Sequence, residues 1–175
     1  MAKEPKNAVE KRVDIIVSRW SEFRAEDDPR LLRWLGDADD ASLLNVFLEV
    51  EDDESGSLPD LFIRMEEPFV RPNHYGFQLI EILKKKYEEI RPDAAQIGIT
   101  ADWECPPPSP GDTDVAALVR ACVSFRSHHK DLLETLVLVL FPAAVADVRE
   151  WQKWLFRLVR DPGLPPEVRF MVLDD

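Results

Sequence analysis

The hexapeptide Arg71-Pro72-Asn73-His74-Tyr75-Gly76 is the stretch of this chain whose side chains look most capable of chemistry. It precedes a run with helical spacing, so its amides belong to a helix N-terminus. There the backbone dipole and the free N–H groups attract anions. Arg71, Asn73, His74 and Tyr75 are therefore candidates for an anion- or ligand-binding loop. The plainer alternative is that Asn73 caps the helix and Tyr75 packs.

Other reactive residue types are present without a matching pattern. His128 and His129 are adjacent on a helix and point in different directions, unlike the i, i+4 pair that holds a metal. Capping of a helix C-terminus suits them better. Carboxylates cluster where strands are expected to end: Glu66 and Glu67, Asp102 and Glu104 beside Cys105, and Asp174 and Asp175. Such groups could hold a hard cation. No Lys, Arg or amide nest accompanies them, so we expect no metal and no cofactor. Ser124, Ser127 and Cys122 lie near His128, but no nucleophile signature surrounds them. Cys122 sits on an apolar helix stripe and reads as core. Cys105 opens the Pro-rich loop Cys105–Gly111, where nothing nearby would lower its pKa. Of five tryptophans, Trp103, Trp151 and Trp154 are either core or, where exposed, a partner surface.

The elements that must position these residues follow from periodicity. Val9, Val13, Ile16, Val17, Trp20 and Phe23 form one helical stripe. Pro29 can open a short helix carrying Leu31, Leu32, Trp34 and Leu35, with Gly36 ending it. In Ser42–Glu51, Leu43, Val46, Phe47 and Val50 fit a helix while Leu44, Val46, Leu48 and Val50 fit a strand; Asp39 or Asp40 as a cap favours the helix, and Asp52–Ser57 is a polar loop. Strands are expected at Asp60–Met65, Gln96–Ala101, Thr135–Phe141 and Val168–Leu173. Helices lie between them around Phe77–Ile90, stopped by Pro92, around Val115–Val123 and around Val148–Val159. Thr135–Phe141 shows no alternation, so both its faces should be buried, as in a central parallel strand. The expected fold is α/β: a four-stranded parallel sheet with crossover helices and an N-terminal helical extension. Residues 1–52 would be the helical segment packing on the core, and residues 58–175 the α/β domain. The apolar ending suggests the N-terminal part of a longer polypeptide.

Composition narrows the function classes. The 175 residues are 45% hydrophobic and 32% charged, a globular balance. The net charge of −12 repels nucleic-acid phosphates and anionic lipid. Two cysteines without a CxxC spacing fit reduced thiols in the cytoplasm. The longest apolar run, Thr135–Val148, is too short to span a bilayer and contains Pro142.

The order of elements resembles that of P-loop NTPases, in particular signalling ATPases similar to apoptotic regulators. The resemblance places Leu61–Met65 as the first strand and Glu67–Gly76 where the phosphate loop would be. It also sets Thr135–Phe141 at the Walker B position and Val168–Leu173 as a sensor-type strand. The chain departs from that family in lacking GxxxxGK[ST], and in Phe141-Pro142 standing where a magnesium-binding acid belongs. The resemblance implies a degenerate domain without hydrolysis. A third possibility is a hydrolase in which Arg71, His74, Asp102 and Glu104 converge on one pocket. The reading favoured by the missing catalytic constellation is a non-enzymatic interaction or regulatory module of a cytoplasmic signalling or assembly protein. Its partner would be another protein or another domain of the same polypeptide, not nucleic acid or membrane.

Overall fold

A computed structural model describes residues 7–36, 38–53 and 56–174. In chain order these form α1 (Ala8–Ala25), β1 (Leu31–Leu35), α2 (Ala38–Asp52), β2 (Asp60–Met65), α3 (Tyr75–Gln96), α4 (Asp114–His128), β3 (Thr135–Leu140), α5 (Val148–Val159) and β4 (Val168–Asp174). The four strands make one all-parallel sheet in the order β1-β4-β3-β2. The expected fold class is therefore correct. The expected Asp175 and Glu54–Ser55 segments and the first six residues lie outside the described residues.

The burial of β3 explains the sheet. All six of its residues are buried, and they alternate between two apolar layers. Leu136, Leu138 and Leu140 pack with α3, α4 and α5, while Val137 and Val139 pack with α1 and α2. Each such side chain contributes about 1.5–3 kcal/mol by leaving water. Phe170 and Met171 of β4 divide between the same two layers.

One expected strand is replaced by another. Gln96–Ala101 is not a strand. Ile97 is 75% exposed, and Gly98, at φ +78°, takes the left-handed conformation that turns the chain out of α3. An apolar run with nothing to cover it does not join a sheet. The fourth strand is β1, in the segment Pro29–Gly36 that was expected to be helical. Five residues make little more than one helical turn, which gains few hydrogen bonds for the cost of nucleating it. As a strand they pair with β4, sending Leu32 and Trp34 to the α1–α2 layer and Leu31 to the opposite one. The sheet thus takes an edge strand from the segment read as purely helical.

Two smaller expectations also change. Pro92 does not stop α3, which runs four residues further. Pro92 is on the exposed side, where water can serve the carbonyl its missing N–H leaves behind. Asp39 and Asp40 lie inside the first turn of α2 rather than capping it, where negative charge suits the helix dipole.

Helix α1 is tied down by polar contacts at its C-terminal end. The buried carboxylate of Asp60 accepts from Trp20 Nε1 at 2.8 Å and faces Arg24 Nε at 3.0 Å. From β4, the buried Arg169 guanidinium donates to the carbonyls of Phe23, Arg24 and Glu26, serving acceptors left open where the helix ends. Among the described residues no helix is long and apolar enough to cross a membrane.

Candidate functional site

The β2–α3 loop, which carries the sequence candidates, continues the sheet. Beyond the strands, Ala143 N–H donates to Glu66 O at 3.0 Å, Phe69 N–H to Ala144 O at 2.8 Å, and Ala146 N–H to Phe69 O at 3.0 Å. Phe69 is buried and meets Tyr75, Trp151 and Trp154 edge to face, with centroids 5.0–6.3 Å apart. Tyr75 is also fully buried. Its hydroxyl donates to Glu67 O at 3.2 Å, and burial pushes its pKa upward. Arg71, Asn73 and His74 are exposed. The N-cap position belongs to His74, without a side-chain capping bond, so Asn73 does not cap α3.

What serves the N-terminus of α3 comes from α4. Asp114 Oδ2 accepts from Gly76 N–H at 2.9 Å and from Trp154 Nε1 at 2.8 Å. Asp114 is the first residue of α4 and only 4% exposed. One buried carboxylate thus lies at the positive ends of two helices, where a bound anion would otherwise be favoured. Gly76 is what permits the approach, because a Cβ there would stand 2.3 Å from the Asp114 carbonyl oxygen. The anion position anticipated at this loop is filled by the chain's own carboxylate.

The remaining sequence candidates do not assemble. Trp103, Trp151 and Trp154 are buried, which fits the core reading of these residues and leaves none of them exposed as a partner surface. Trp151 and Trp154 stack with planes 7° apart, and Trp103 Nε1 donates to Ser124 Oγ at 3.1 Å. Asp102 is hydrogen-bonded to His128 Nε2 at 2.8 Å, a contact that holds its carboxyl below the ordinary range. His128 ends α4, roughly 21 Å along the helix from Asp114 at 1.5 Å per residue. Arg71 and His74 are at the Asp114 end, so the hydrolase constellation does not form. Glu66 pairs with Arg64, and Asp174 with Arg33. Among the described residues no three His, Cys, Asp or Glu side chains could hold a metal. Both cysteines are free thiols, and burial raises the pKa of each, so neither is an activated nucleophile.

A different feature, not singled out by sequence reasoning, has binding geometry: the outer edge of β2. Phe141 N–H donates to Met65 O across the β2–β3 pair, while Leu136 N–H turns to Glu167 on the β4 side. With the register Leu61↔Leu136 and Met65↔Leu140, alternation turns the peptide groups of Leu61 and Ile63 toward β3. Those of Phe62 and Arg64 face outward, and no partner for them is found among the described residues. Phe62 is anchored from behind, its ring edge to face with Trp20 and Phe47 at 5.2 and 5.3 Å.

This open edge is the floor of a groove of about 430 Å³. Asn45, Leu48, Glu49 and Asp52 of α2 form one wall, and Leu83, Lys86, Tyr87, Glu89 and Ile90 of α3 the other. Arg64 donates to Asn45 Oδ1 at 2.7 Å and pairs with Glu66 at 2.6 Å, which meets its charge inside the fold. A larger cavity, of about 640 Å³, lies between α3 and Pro106–Pro108. Its walls are helix α3 and a run of prolines, which have no N–H to donate to an added strand. The β2 groove does offer such N–H groups. No family model, curated protein or solved structure matches this chain.

Proposed function

We propose that this chain is a non-enzymatic interaction module of a cytoplasmic signalling or assembly protein, and that it binds a segment of another protein as an added strand on β2. One observation carries the reading: the outward N–H and C=O groups of Phe62 and Arg64 lie at the floor of a groove with a helix wall on each side. Unpaired edge groups are a template for strand addition, in which main-chain hydrogen bonds supply affinity and wall contacts supply selectivity. The two free thiols are in keeping with a reducing compartment.

The test separates backbone from side chain. Arg64→Pro removes one outward N–H, and proline is tolerated on an edge strand. Arg64→Ala removes the side chain and keeps the N–H. Peptides selected from a random display library on the wild-type chain should bind Arg64→Ala with little change and Arg64→Pro about tenfold more weakly, a difference of about 1.4 kcal/mol. Selected peptides indifferent to Arg64→Pro in a folded protein would overturn the proposal.

A further inference from the structure

We infer that the strand this groove accepts is a partner segment with alternating basic and apolar residues, its basic side chains facing α2 and its apolar ones facing α3. This rests on the reading of β2 as an acceptor. A strand lying in the groove turns successive side chains to opposite walls, because the side-chain period is two. The two walls differ in chemistry. On the α2 wall Glu49 and Asp52 are exposed carboxylates, and neither has an ion pair among the described residues. On the α3 wall Leu83 and Tyr87 are buried behind Ile90, which is 51% exposed although it is a large apolar side chain.

The remaining charges sharpen the facing. Arg64 is met by Glu66 and Asn45. On the α3 wall Lys86 and Glu89 carry opposite charges, so that wall has no net charge, while the α2 wall carries two carboxylates. A basic residue is attracted to the α2 side and gains nothing on the other, and the apolar residues have only the α3 side to cover. The net charge of −12 adds long-range attraction for such a segment.

The probe is a labelled peptide Lys-Val-Lys-Val-Lys-Val-Lys-Val, compared by fluorescence anisotropy with its block isomer, four lysines followed by four valines. A third peptide carries glutamate in place of lysine. The alternating lysine peptide should bind about tenfold more tightly than the block isomer, which controls for simple attraction to an acidic protein. Exchanging both Glu49→Lys and Asp52→Lys, at exposed helix positions, should reverse the preference toward the glutamate peptide. Equal binding of the two isomers, or a preference unmoved by the double exchange, overturns the inference. If library peptides remain sensitive to Arg64→Pro but show no such alternation, this inference fails while the acceptor role stands. If nothing is sensitive to Arg64→Pro, the acceptor role fails first. Sedimentation showing a dimer that Arg64→Pro dissociates would put a second copy of the chain on the edge and overturn the inference as well.

Discussion

The β2–α3 loop and the outer edge of β2 are neighbours in the chain and opposites in availability. The loop has the residue types of a binding site, yet its helix N-terminus already holds Asp114, and its aromatic residue is buried. The edge reads as an apolar core segment, DLFIRM, yet the outward peptide groups of Phe62 and Arg64 have no partner among the described residues. The difference teaches that polar side chains advertise a site only when the fold leaves them a vacancy. Backbone sites carry no such advertisement, because every residue has the same N–H and C=O.

The contrast breaks most visibly at Asp114. Asp114→Ala leaves Gly76 N–H and Trp154 Nε1 buried without their acceptor. Each orphaned donor costs about 1–3 kcal/mol, so the loss should be about 3 kcal/mol in urea unfolding. The melting temperature should fall by roughly 10 °C for a chain of this size. The variant also empties the position between two helix N-termini. Added formate should therefore raise the melting temperature of Asp114→Ala and leave the wild type unmoved. An equal response in both proteins would mean that the loop was open from the start.

Gly76→Ala probes the same closure from the other side. Its new methyl group must displace backbone at Asp114, and we expect a destabilisation of about 2–3 kcal/mol, as for overpacked cores. A neutral result would show that α3 and α4 can separate there without penalty. The peptide selectivity of Arg64→Pro over Arg64→Ala is the matching measurement at the open edge, smaller at about 1.4 kcal/mol because one intermolecular hydrogen bond is at stake.

How far the sequence reveals each region follows from the range of the contacts involved. β3 was legible because burial on both faces forces an unbroken apolar run, and α1, α3, α4 and α5 because one face of each must be apolar. β1 was not, since Leu31–Leu35 fits a helix turn until β4, almost 140 residues later, supplies its register. Gln96–Ala101 misled in the opposite sense, having strand-like residues but no partner. Strand order is set by which helices cover which face, so neither edge of the sheet could be read from residue types. The Asp114 closure depends on α3 and α4 meeting at their N-termini. Gly76, a glycine in the first turn of a helix, was the only local sign of that close approach.

The smallest effect lies at the far end of α4, where pH should disturb the groove and spare the loop. His129 is buried, its ring 4.8 Å from Phe125 and 5.5 Å from Tyr87, two residues that line the groove. Its Nε2 has no hydrogen-bond partner among the described residues. Burial lowers its pKa from the ordinary value near 6.5, and neighbouring His128 adds to the shift. The unfolded chain therefore binds more protons just below pH 6.5. The stabilisation is complete above that pH and declines as pH falls through 6.5 toward the folded value. The lowered pKa of Asp102 acts in the same direction but below about pH 4, outside this window. Urea midpoints measured at pH 7.5 and pH 5.5 should differ in the wild type and converge in His129→Phe, which keeps an aromatic ring and removes the proton site. In the wild type, hydrogen exchange at the lower pH should quicken around Tyr87 after correction for the intrinsic rate, while Gly76 N–H stays protected by Asp114. Equal loosening at both ends of α3 would erase the distinction between a closed loop and an open edge.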